Sequence, residues 1–207
     1  MSEKRPDTGF QCQLIDMNKE FLRLLTDPAN MATNNLFGLA PEVLAGLRKF
    51  SASQLDRVAA VPILLTEFEP LPGLPEFSSV ADTPALPVGV SPAWQREAEA
   101  FANRLLACIW QSARQDHLLT AFCIGIDPDR HRRIAESSFA SISQSSERTL
   151  RCLRVRLGSH PTFWNDLLLS ILHGTDDQQV ASRLAMIPLS VAHAGLPTTT
   201  ADRPRYF

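Results

Sequence analysis

Four polar side chains near the C-terminal end of the chain, Gln178, Gln179, Ser182 and Arg183, have the types and spacing that could read nucleic-acid bases. Gln can bond adenine bidentately and Arg can do the same to guanine. Upstream, Arg148, Arg151, Arg154 and Arg156 form a basic patch that could follow a phosphate backbone, positioning without specifying, or could pair with an acidic protein partner. Two features weigh on the other side. Asp176 and Asp177 open the same stretch and would repel phosphates while favouring a helix dipole. A solvated helix face accommodates the same Gln and Arg side chains equally well.

Catalytic patterns are missing from the sequence. It has no Gly-rich phosphate loop, no G-x-S-x-G and no H-E-x-x-H, and the histidines at 117, 131, 160, 173 and 193 lack metal-ligand spacing. Ser159-His160 has no orienting acid in view and reads as a helix cap with a polar neighbour. Cys12, Cys108, Cys123 and Cys152 fit neither a zinc site nor a disulfide framework, so four buried thiols are expected. No enzyme activity, cofactor or metal is expected.

To act together, the base-edge candidates need a helix pair. Phe163, Leu167, Leu168 and Ile171 predict a helix at 161–172, with Ser159 as N-cap, and Val180, Leu184 and Ile187 predict a second at 176–187, ended by Pro188. The short turn between them contains Gly174, as in a helix-turn-helix, where the first residues of the second helix face the bases. Leu153, Val155 and Leu157 alternate with Arg154 and Arg156, the period of a strand with one buried face and an arginine edge. Trp110 and Trp164 read as core anchors, or, if exposed, as interface anchors.

The rest of the chain is organised by a gapless internal match at an offset of 87 residues. Leu36-Phe37-Gly38-Leu39-Ala40-Pro41 aligns with Cys123-Ile124-Gly125-Ile126-Asp127-Pro128, Leu47 with Ile134, Ser51 with Ser138 and Leu55 with Ile142. This predicts one structural unit used twice. Gly38 and Gly125 fit helix C-caps, Pro41 and Pro128 the first turn of the following helix, Asp127 a good N-cap and Ala40 a poor one. Ser51-Ala52-Ser53-Gln54 reads as a capping box. Apolar spacing predicts helices at about 12–26, 41–49, 52–60, 92–114, 128–137 and 139–149, with a further short one ending at Phe37. The expected layout is a tail at 1–10, a first unit at 11–69, a proline-rich connector at 70–92, a second unit at 93–190 and a tail at 191–207. The apolar stripes of helices 12–26 and 92–114 are expected to pack together.

With 207 residues and 44% hydrophobic content, the chain is expected to be globular and large enough for two small cores. No run approaches the ~20 apolar residues of a membrane span, and the first residues lack a secretory signal, which predicts a cytoplasmic protein. Charge is divided unevenly: residues 1–92 carry 7 basic and 11 acidic side chains, residues 93–207 carry 13 basic and 11 acidic. A pI of about 6.2 favours a protein-binding role or a DNA binder that depends on a partner.

This pattern resembles the flagellar transcriptional regulator family FlhD. The similarity runs over about 95–190, through Asn103, Leu105-Leu106, Gln115-Asp116, Ala121-Phe122-Cys123-Ile124-Gly125-Ile126-Asp127, Ser138 to Ile142, Arg156-Leu157-Gly158-Ser159-His160 and Asp177-Gln178-Gln179-Val180. In the first unit it runs over about 14–69, through Asp16, Asn18, Leu24-Leu25, Phe37-Gly38-Leu39 and Ser51 to Leu55. The resemblance implies an all-α fold that dimerises through its amino-terminal helices, here as an intrachain pseudo-dimer with scope for a further homodimer. It also implies a helix-turn-helix-like C-terminal part and action as an activator of flagellar operons with an FlhC-like partner protein and DNA. Family members that link their subunits by a disulfide have a cysteine where this chain has Thr66 and Leu153. An adaptor that kept the dimerisation fold without DNA binding is the alternative. The first unit lacks the last helices, which leaves at most one DNA-reading element per chain.

Overall fold

The computed structural model describes residues 8–30, 36–69, 89–114, 123–143, 146–158, 160 and 162–193. Most of residues 1–10 and 70–92, much of 191–207, the stretch before Phe37, the Gln115-to-Phe122 part of the resemblance and the expected Ser159 cap lie outside them. The fold is mostly helical. Helices α1 (Thr8–Thr26), α2 (Pro41–Leu47) and α3 (Ala52–Ala59) lead into strand β1 (Thr66–Phe68). Helices α4 (Pro92–Ala113), α5 (Pro128–Glu136), α6 (Phe139–Ile142) and α7 (Ser146–Arg151) lead into strand β2 (Leu153–Val155). A hairpin of α8 (Phe163–His173) and α9 (Asp176–His193) completes the described chain.

The caps follow from local chemistry. Ser51 accepts from the Gln54 amide while the Gln54 side chain accepts from the Ser51 amide, closing a capping box. Asp127 accepts from the amides of Asp129 and Arg130, whereas Ala40 makes no side-chain cap. Gly38 and Gly125 sit at φ +78° and +81°, the left-handed region that glycine enters without a Cβ clash.

Helices α1 and α4 pack against each other. Phe21 stacks on Phe101 at 5.8 Å between centroids, Phe37 on Trp94 at 5.8 Å, and Trp94 Nε1 donates to the Leu24 carbonyl at 3.0 Å. Each such ring removes roughly 200 Å2 from water, worth on the order of 5 kcal/mol of transfer. Arg104 and Glu20 pair across the outside of this contact. The expectation of two small cores is corrected: a single buried cluster runs from Leu14 to Ile171 through both halves of the chain.

Strands β1 and β2 pair antiparallel with Glu67 opposite Arg154, flanked by Thr66 opposite Val155 and Phe68 opposite Leu153. Glu67 and Arg154 are 87 residues apart, so the pair looks the same from either strand. Just beyond it, the Glu69 amide donates to the Cys152 carbonyl at 2.8 Å and the Arg156 amide to the Leu65 carbonyl at 2.9 Å. Both donors and both acceptors are again 87 apart.

Three expected boundaries change. The helix predicted over 139–149 is split into α6 and α7, because Ser143 turns out to β conformation at ψ 95°. The helix predicted to end at 187 continues past Pro188 to His193. Only a three-residue 3-10 turn, Pro28–Asn30, follows α1 among the described residues before the Leu36–Gly38 turn.

Candidate functional site

Gly174 makes the α8–α9 turn possible. A Cβ there would lie 2.4 Å from the Ser170 carbonyl oxygen, so no side chain fits so close to the end of α8. Thr175 and Gln178 then form a reciprocal cap, the Thr175 amide donating to Gln178 Oε1 at 2.9 Å and the Gln178 amide to Thr175 Oγ1 at 3.4 Å. Gln179 Nε2 reaches back to the Gly174 carbonyl at 3.1 Å. His160 Nδ1 accepts from the Phe163 amide at 3.1 Å, a capping contact at the start of α8.

The four base-edge candidates therefore do not form one polar reading face. Gln178 is exposed but occupied by the cap, and Gln179 is only 5% exposed, so its predicted base contact is corrected: its amide holds the turn instead. Ser182 is half-buried and lines a groove of about 330 Å3 between α8 and α9 with Phe163, Leu167, Ala185 and Leu189. Arg183 is half-buried and donates to the Arg57 carbonyl at 3.3 Å, linking α9 to the end of α3. Beyond its polar first turn, α9 exposes an apolar stripe. Val180, Leu184 and Ile187, at helical spacing, are 50%, 57% and 36% exposed, and Leu169 and Leu172 of α8 are also open. Asp176 and Asp177 stand exposed at the head of the same helix.

The basic patch is dispersed as well. Arg148 is exposed and Arg151 half-buried. Arg154 is half-buried and bends onto the backbone, donating to the Arg151 and Leu153 carbonyls at 2.7 Å each. Arg156, expected on an arginine edge, is corrected to a core residue: it is 1% exposed and donates to the Cys123 carbonyl at 2.9 Å. Its guanidinium lies against Gly125, where a Cβ would come within 2.5 Å of its Cζ. Burial pushes the Arg156 pKa down to about 10, opposed by the nearby carboxylate of Glu67.

Trp164 is a core anchor, its Nε1 donating to the Arg156 carbonyl at 3.2 Å. Trp110 is half-buried, donates to the Ser137 carbonyl at 2.9 Å and carries Arg114 over its ring at 4.9 Å. The thiol expectation holds for Cys108, Cys123 and Cys152, and is corrected for Cys12, which is exposed on α1. Among the described residues no group of His, Cys, Asp and Glu could hold a metal, and no helix is long and apolar enough to cross a membrane.

The structural roles of two residues escaped the sequence reading. Asn18, fully buried, donates to the Ala59 and Ile63 carbonyls at 3.1 and 2.8 Å and accepts from the Leu65 amide at 2.8 Å. Its signal was a polar residue inside the apolar stripe of α1. Glu67 faces Arg154, a relation visible only once the strands are paired.

The arrangement is a mostly helical protein with a central two-stranded pairing and an open apolar hairpin. No known protein family's profile matches the chain, and neither a curated protein nor a solved structure matches it.

Proposed function

We propose that this chain is an FlhD-like regulatory subunit, a tandem copy folded as a single-chain pseudo-dimer that acts on transcription through a partner protein. The observation that carries the pseudo-dimer is the strand register, in which Glu67 and Arg154, 87 apart, face each other and the hydrogen bonds on either side of them are equivalent. An isologous contact has this reciprocal form. Thr66 and Leu153, the positions where related subunits carry a linking cysteine, lie in those two strands.

Partner dependence is supported by the open leucine-rich face of α8 and α9, an exposed apolar surface of the kind that marks a protein-binding site. Gln179 and Arg156 are committed to the interior, which weakens a direct reading of bases. The role is binding, in the cytoplasm, with no catalytic step. Arg148 and Arg151 still offer phosphate contacts once a partner holds DNA nearby.

Affinity capture on the intact protein, followed by gel shift with and without the captured partner, tests this reading. The expected result is DNA retention only with partner present, and loss of capture on Leu184→Asp. Retention by the protein alone would contradict partner dependence. Capture without any DNA retention would favour the adaptor.

A further inference from the structure

The two paired strands carry opposite charges at equivalent places. Glu67 and Glu69 belong to the first half, and Arg154 and Arg156 stand 87 residues further on in the second. In the observed register Glu67 lies opposite Arg154 on the outward side of the strand pair, while Thr66, Phe68, Leu153 and Val155 are buried. Glu67 is also the acid whose field favours the charged form of the interior Arg156. Glu67 and Glu69 border a cavity of about 220 Å3 with Gly125 and Arg130.

The same geometry has a different consequence for like pairing. If two first halves met through this strand in the same register, Glu67 would face Glu67, with a Glu69 two residues along each strand. Two second halves would set Arg154 against Arg154, with an interior Arg156 two residues along each strand. Like charges directly opposite one another in a strand pair are destabilising, and an opposite pair is favourable. A buried cation without its carboxylate costs more still.

We propose that Glu67 and Arg154, flanked by Glu69 and Arg156, are a pairing code: the acidic strand of the first half accepts only the basic strand of a second half, so that copies of the chain do not exchange like halves. The code acts largely by repulsion, the usual means of excluding a wrong partner. It rests on the tandem-copy reading of the chain.

Charge reversal in the full-length protein tests it, with unfolding by urea as the readout. Glu67→Arg and Arg154→Glu should each lower the folded-to-unfolded ratio by about fivefold or more, and the double reversal should lose at least about fivefold less than the product of the two. The recovery should shrink in 1 M salt. Product behaviour, with no recovery, would overturn the code. Because Glu67→Arg also faces Arg156 and can prevent folding, a second cycle uses Glu67→Gln and Arg154→Gln, where simple multiplication of the two effects would likewise overturn it. Dissociation of the halves after the connector is cut would strike the tandem-copy reading instead.

Discussion

Gly38 and Gly125 occupy the same place in the two halves and nearly the same left-handed conformation, yet their surroundings differ. A Cβ at Gly38 would find its nearest neighbour, Arg154 Cδ, at 3.8 Å, whereas at Gly125 it would strike the interior guanidinium of Arg156. A second contrast lies one helix earlier. Position 18 is a buried Asn, and the position 87 further on is Leu105, equally buried. The cause is the segment that leads into each half's strand. Residues 60–65 run in an irregular path towards β1 and need Asn18 to hold their backbone, whereas the corresponding stretch before β2 is helix α7, which bonds to itself. Shared turn chemistry sets the frame of each half, and the polar residues in its interior mark where the two halves differ.

Substitution at the two glycines separates conformation from space. Gly125→Ala should destabilise the protein most, by about 4 kcal/mol, combining left-handed strain with overpacking against the interior guanidinium of Arg156. Replacing Asn18 by Leu, the residue of the other half, should cost about 3 kcal/mol, because the Leu65 amide and two carbonyls lose their partner inside the core. Gly38→Ala should cost only about 1–2 kcal/mol, the strain alone. Urea unfolding of the three variants checks the order. Equal losses at the two glycines would show that Arg156 yields to the added methyl group.

The smallest effect concerns the thiols. Burial pushes the Cys152 pKa up from 9.0 to about 11, while Arg154 and then Arg148 draw it down. The unfolded chain therefore gives up this proton first, and the stability linked to it is complete below pH 9 and is lost as pH rises through about 11. Cys152→Ala should flatten the fall in stability between those values. At pH 8, a thiol reagent should label Cys12 rapidly and the three interior cysteines only on unfolding.

Much of the frame was legible in the sequence. Turn glycines, the Ser51 capping box, Asp127 and the apolar stripes of α1 and α4 depend on neighbours within a few residues, and each stands where its local chemistry requires. What was not legible depends on distant partners. Alternation around Arg154 and Arg156 announced a strand but could not say that Leu65 and Glu67 lie beside it, so an interior arginine looked like a surface one. The terminal hairpin misled for a related reason. Gln178, Gln179 and Arg183 are types that read DNA, yet the Gly174 turn and α3 use them first.

The central claim is that two copies of one unit are held together by buried surface and by the β1–β2 pairing, and not by the connector. Introducing a protease site between Pro75 and Pro84, cutting the folded protein there and measuring its elution at micromolar concentration tests this most directly. The account predicts a single species of unchanged size that separates only in denaturant, because an interface of this apolar character outlasts loss of the tether. Two separately eluting halves would contradict it.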